Sequence, residues 1–174
     1  MKNETLEIIS TRRSIKGYTD KPVPRDILDK IIKAGTEAAS GKNLQGAIIV
    51  AVTNREIRDK LSEANANVLG AKSDPFYNAP TVLVVLANKS IRTSIYDASL
   101  VAGNIMLAAH ALGVGSCWIH RAREVFDMPE WRQWLSSIGV EGEYEGVANM
   151  VIGYPKGDYP EKKQVLPGRV FFVD

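Results

Sequence analysis

Four short apolar runs constrain this chain more than any other feature: Ala47–Val52, residues 81–86, Gly115–Ile119 and residues 147–152. Rich in β-branched residues and only five or six residues long, they are too short for buried helices and read as buried strands. A further strand is expected at residues 170–173. Between the runs lie segments with helical spacing. Residues 6–10 form a short first helix that breaks at the basic stretch 11–17. Pro24 opens a second, with Asp26 near its N-terminal dipole and Ile27, Leu28, Ile31 and Ile32 on one face, fading at residues 39–41. Thr53 or Asn54 caps a third, whose inner stripe is Ile57, Leu61 and Ala64. Asp97 opens a helix over 98–112 that Gly113 closes; apolar nearly all round, it is expected to be central. Pro129 starts another helix, ending at Gly139. Helices alternating with buried strands point to a sheet covered on both faces. Pattern alone leaves the strand order open.

With 174 residues and no visible repeat or linker, the chain reads as a single domain over 1–174. A net charge of +2 argues against nucleic acid or an anionic membrane as partner, so any basic site must be local. Cys117 is the one cysteine, which rules out an intrachain disulfide and a zinc or iron–sulfur ligand set and fits a reducing, cytoplasmic setting. The first residues lack the apolar core of a signal peptide. The apolar stretch 98–112, broken by Ser99, Gly103, Asn104 and His110, falls short of the roughly 20 residues needed to cross a bilayer.

Two polar segments carry the chemistry. Arg12, Arg13, Ser14 and Lys16 place three cations and a hydroxyl beside a helix boundary, a set that can hold a phosphate by charge-assisted hydrogen bonds. A solvated basic turn is the alternative. Ser40, Asn43 and Gln45 offer spaced donors and acceptors able to read the polar edge of a planar heterocycle. An ordinary turn would use the same residue types.

Taken together, Arg12, Ser14 and Lys16, then a helix, then Ser40, Asn43 and Gln45 before a strand, resemble the nitroreductase family. The helix-to-strand stretch 111–119, Gly153-Tyr154-Pro155 and Arg169 extend the resemblance over essentially the whole chain. It implies an α+β fold: a three-layer α/β/α sandwich on a mixed, mostly antiparallel sheet, dimeric with C-terminal strand exchange. It also implies non-covalent FMN, with NADH or NADPH as transient co-substrate. Arg12 and Arg169 would neutralise the phosphate, with Arg13 beside them and a hydrogen bond from Ser14. Lys16 would sit near N1 and O2 of the ring, where negative charge accumulates on reduction. Asn43 and Gln45, with Ser40, would come from the partner of a homodimer. Trp118, Ile119 and His120 would pass beside the flavin, with backbone groups between Ile119 and Arg121 near N5.

The chain departs from the family in places. Ala39 and Gly46 stand where proline is common, and His120 and Arg121 replace smaller residues, which bears on the substrate pocket. It is also short for the family, so lid insertions are expected to be absent. The flavin does the redox chemistry, so no protein nucleophile or general base is required and no catalytic side chain is assigned. His120 is a candidate pocket wall or proton donor and Arg121 a second pocket residue. His110 reads as a hydrogen-bonded core residue, Cys117 as inert packing, and Trp131 and Trp134 as core anchors rather than a flavin lid. Gly113-Val114-Gly115 is no dinucleotide fingerprint, because Trp118 fills the third glycine position. NAD(P)H is therefore expected to visit the open flavin face, leave, and yield the space to the acceptor, in a ping-pong scheme. The expected acceptors are nitroaromatics, quinones or related electron-poor compounds. Two alternatives remain: a specialised flavin enzyme of the same fold (a heterocycle dehydrogenase or dehalogenase), and a non-catalytic FMN-binding or storage protein.

Overall fold

The computed structural model describes residues 3–162 and 164–174. Its elements are α1 (Glu4–Thr11), α2 (Arg25–Thr36), β1 (Ala47–Val52), α3 (Arg55–Leu69), β2 (Thr81–Asn88), α4 (Ser94–Ala111), β3 (Gly115–Ile119), α5 (Ala122–Phe126), α6 (Pro129–Ser137) and β4 (Tyr144–Gly153). The strands form one sheet in the order β1-β2-β4-β3, every neighbouring pair antiparallel. Among the described residues the parallel contribution to this sheet is a single bridge, Ser14 to Ser116.

Side chains alternate between the two sides of a strand, and the central strand β2 is buried on both. Val82, Val84 and Leu86 join a core with Leu61 of α3, Val125 and Phe126 of α5, and Trp131 and Leu135 of α6. Leu83, Val85 and Ala87 face the opposite core, with Leu28 and Ile31 of α2 and Ala98, Ala102 and Ile105 of α4. Two apolar layers around one sheet make the α/β/α sandwich. Gly35 costs α2 helix propensity, yet a Cβ there would meet Ile105 Cγ1 at 2.9 Å and Ile49 Cδ1 at 3.0 Å. Glycine is what lets α2 lie this close to α4 and β1.

Several expectations need correction. β1 is an edge strand, mostly half-buried rather than buried, because an apolar run does not reveal whether both of its edges are paired. The cap of α3 is Asn54, whose side chain accepts from the N–H of Ile57 at 3.0 Å. α4 begins at Ser94, and Asp97 lies inside its first turn as a buried acceptor. α4 is central as expected, with Ala98, Ala102, Ile105 and Ala109 fully buried, but it is not enclosed on every side: Ile95, Tyr96 and Leu100 stand exposed. α5 was not anticipated. Residues 170–173 form no strand within this chain: strand propensity needs an edge to pair with, the outer edges of β1 and β3 are not paired with this segment, and the apolar side chains of Val170, Phe171, Phe172 and Val173 stand exposed. No described helix is long and apolar enough to cross a membrane.

Candidate functional site

The basic segment is stitched into the sheet rather than left as a surface turn. Arg12 caps α1, its N–H donating to the carbonyl of Ile8 at 3.0 Å. The N–H of Ile15 donates to the carbonyl of Ser116 at 3.0 Å, and Ile15 is buried in the core. Gly115 permits this approach, since a Cβ there would lie 2.9 Å from Ile15 Cγ1. Further along, Thr19 donates to the carbonyl of Tyr154 and Lys156 to that of Gly17. The buried Tyr18 hydroxyl donates to the carbonyl of Ile15 at 2.9 Å; burial, then Cys117 and Tyr77, push its pKa up, so it stays protonated.

With Ile15 turned inward, its neighbours Ser14 and Lys16 turn outward, as alternate residues of extended chain must. They line a cavity of about 940 Å³ with Arg12, Arg13, Cys117 and Trp118. Its outer wall comes from the end of the chain: Pro160, Glu161, Lys162 and Val165. Arg12 Nη1 and Arg13 Nε are buried without a hydrogen-bond partner. Arg13 Nη1, by contrast, donates to the carbonyls of Ser10 and Arg12 at 3.0 and 2.6 Å. Two guanidinium groups, an ammonium and a hydroxyl line this one cavity, a set that can hold an anion by charge-assisted hydrogen bonds. The donor set therefore fits a phosphate. Cys117 adds no charge: burial raises its pKa, only partly opposed by Ser14, Lys16 and Arg12.

The second polar segment lies elsewhere. Lys42, Asn43 and Gln45 all adopt positive φ, at 51°, 55° and 51°, an uncommon concentration for residues other than glycine. Ser40 Oγ accepts from the N–H of Gln45 at 3.1 Å, and Gln45 Nε2 donates to Asn43 Oδ1 at 3.1 Å. Asp97, missed as a site residue, anchors this loop by accepting from the Gly41 N–H at 3.0 Å and from Thr93 Oγ1 at 3.1 Å. Ser40 and Gln45 line a separate, small cavity of about 100 Å³. One chain thus keeps the two halves of the predicted site on different cavities.

Of the remaining predicted residues, Trp118 lines the large cavity, whereas Ile119, His120 and Arg121 follow it along and past the end of β3 without lining it. The fully buried Asn65 donates from Nδ2 to the carbonyl of His120 at 2.8 Å, fixing that strand end and leaving the imidazole exposed. Arg121 sits at φ 78°, ψ 5°, where glycine is favoured, and pairs with Glu124 at 3.1 Å. Arg169 lies in the exposed tail, away from the cavity lining. His110 is hydrogen-bonded as expected, but on the surface side of α4 rather than in the core. Trp131 is a core anchor, edge-on to Phe126 and Trp134.

Fold and cavity define an α+β protein with a basic cavity beside the edge of its sheet. Residues 9–72 and 67–154 match the model of the nitroreductase family, and the chain belongs to that family. It is similar to a solved nitroreductase with bound FMN from Bacteroides fragilis NCTC 9343, at 30% identity and a TM-score of 0.88, covering 99% of this chain and 100% of that one. It is 32% identical over 175 residues to an Archaeoglobus fulgidus protein provisionally named NADH dehydrogenase/NAD(P)H nitroreductase, covering 96% of each chain. With the FMN reductase [NAD(P)H] of Bacillus subtilis it shares 28% identity over 195 residues, 95% of this chain and 71% of that one.

Proposed function

We propose that this protein is an FMN-dependent oxidoreductase, a cytoplasmic homodimer that takes reducing equivalents from NADH or NADPH and passes them to flat, electron-poor acceptors such as nitroaromatics and quinones. The observation that carries this reading is the concentration of cations, Arg12, Arg13 and Lys16 with the hydroxyl of Ser14, on one cavity large enough for a cofactor. The family membership and the FMN-containing relative support the identity of that cofactor.

Arg12 and Arg13 hold the phosphate, and Ser14 adds a hydrogen bond. Lys16, facing the same cavity, offers its charge to the polar edge of the ring. The bound flavin supplies the electron transfer, so the chain's own groups serve to bind, orient and tune. Trp118 forms an apolar wall, and the protonated Cys117 and Tyr18 bring no competing charge.

The ring-reading residues Ser40, Asn43 and Gln45 lie apart from this cavity within one chain, which favours their contribution from a second copy. Apolar side chains exposed on α1 (Leu6 and Ile9), on α4 (Ile95, Tyr96 and Leu100) and in the tail favour the same assembly. Arg121, with His120 beside it, biases the acceptor towards compounds carrying a carboxylate or sulfonate. Anaerobic addition of NADH or NADPH to the FMN-loaded protein tests the proposal. Rapid bleaching of the yellow absorbance, restored by a quinone, is expected; bound flavin that neither nucleotide bleaches would leave a storage protein instead.

A further inference from the structure

Three elements meet at one imidazole outside the sites described so far. His110, near the end of α4, places Nε2 2.8 Å from Thr11 Oγ1 and Nδ1 3.0 Å from the hydroxyl of Tyr159, and its ring stacks on Tyr159 with centroids 5.8 Å apart. The protons can be assigned from the other partners. Thr11 Oγ1 already donates to the carbonyl of Glu7 at 2.7 Å, so it accepts from Nε2–H. With the proton on Nε2, Nδ1 of the neutral ring accepts from the Tyr159 hydroxyl, which in turn accepts from the N–H of Arg13 at 3.1 Å. In the neutral Nε2–H form of His110 every donor in this chain meets an acceptor.

Tyr159 immediately precedes Pro160, Glu161 and Lys162 of the cavity wall, and Arg13 is one of the cavity's cations. We propose that neutral His110 is a positioning residue for the cofactor cavity, latching Tyr159 and with it the wall at residues 160–162 against the phosphate-binding segment. The inference rests on that cavity being the FMN site.

Protonating His110 puts a hydrogen on Nδ1, so the Tyr159 hydroxyl must turn its own proton out to solvent and accept instead. The charged ring then stands against Arg12 and Arg13, and the latch weakens in acid. The charged side chains on the packed elements are Glu4 and Glu7 of α1, Arg12 and Arg13 after it, and Asp158, Glu161 and Lys162 beside Tyr159. Burial first, then Arg12 and Arg13, lower the imidazole pKa from its ordinary value. The latch is accordingly closed at neutral pH and weakened only as pH falls below the usual imidazole range.

The test compares native protein with His110→Leu, His110→Gln and Tyr159→Phe. Flavin-fluorescence titrations give the FMN dissociation constant at several pH values, and NMR gives amide exchange at Arg13. At neutral pH, His110→Leu and Tyr159→Phe should each weaken FMN binding about fivefold, the loss expected for one hydrogen bond. Exchange at Arg13 should quicken in Tyr159→Phe. His110→Gln, which can both accept and donate, should restore neutral-pH affinity and remove the extra weakening native protein shows in acid. Titration of the FMN phosphate itself affects both proteins alike. Equal affinity and equal pH profiles in all four proteins would overturn the latch while leaving the FMN site standing. A native protein that takes up no FMN overturns the site itself and the positioning role with it, even if Arg13 exchange still responds to Tyr159→Phe.

Discussion

Ile15 donates its backbone N–H to the carbonyl of Ser116 across 3.0 Å, and this bond sets the direction in which the basic segment faces. Because the Ile15 side chain is drawn into the core, Ser14 and Lys16 are turned to the opposite side, where Arg12 and Arg13 already lie. A run of charges that could have been a solvated turn becomes a cavity wall. The energetic consequence is an unpaired buried guanidinium donor, and from it follows the first prediction.

Arg12→Met should separate binding from stability. The substitution keeps the length of the stem and removes a buried donor that lacks a partner, a defect worth about 1–3 kcal/mol. The FMN-free protein should therefore unfold at an equal or higher temperature than the native one. Its affinity for FMN should fall by about 30-fold or more, as expected when one member of a charge-assisted pair is lost. Thermal unfolding with and without FMN checks both. A variant destabilised without FMN would show that Arg12 serves the fold instead.

Lys16→Ala should act on the redox potential more than on affinity. One elementary charge about 4 Å from another is worth about 4 kcal/mol at an effective dielectric near 20. Lys16 is exposed, and solvent screening reduces that to on the order of 1 kcal/mol. For a two-electron couple the expected drop in midpoint potential is roughly 20–30 mV. Spectroelectrochemical titration measures it, and an unchanged potential removes Lys16 from the ring's polar edge.

Arg121→Gly should raise stability and change selectivity together. A bulky residue at φ 78° carries about 1 kcal/mol or more of backbone strain, while its ion pair with Glu124, about 40% exposed on both sides, returns little. Glycine there should raise the unfolding temperature by a few degrees, on the order of 1 kcal/mol. It should also reduce a preference for anionic over neutral quinones, read as the ratio of their kcat/KM values. A native enzyme without that preference, or one that keeps it after the substitution, contradicts the role given to Arg121.

How far the fold could be read follows from where each signal resides. The strands were legible because β-branched apolar runs are local, and β1 and β3 begin and end where their sequences indicate. The edge position of β1 was not, since Ala47–Val52 is as apolar as the enclosed β2 and exposure depends on a neighbour outside the run. α5 escaped notice because it has five residues and opens on Arg121, which takes a glycine-like conformation without being glycine. The cations at 12, 13 and 16 could be singled out by spacing, but their cavity wall could not: it depends on Tyr159 returning 49 residues later to His110. Asp97 looked like a helix opener because its hydrogen bond to Gly41 spans 56 residues.

The last prediction concerns the tail. Phe171, Phe172 and Val173 are 84%, 86% and 99% exposed, an arrangement that a chain on its own does not explain. Burying such side chains contributes about 1.5–3 kcal/mol each, and a symmetric exchange counts each residue twice. A flavin site completed by Ser40, Asn43 and Gln45 of a second copy binds only the dimer, so FMN must tighten the dimer and dimerisation must tighten FMN. Deleting residues 170–174 should therefore yield a monomer with much weaker FMN binding, although those residues line neither cavity. The intact protein should sediment as a yellow dimer that dissociates more readily once the flavin is stripped. Sedimentation velocity with simultaneous detection of protein and flavin resolves these species. A truncated or intact monomer that carries its full complement of FMN would rule out the shared site, because a single chain would then supply every group the ring requires.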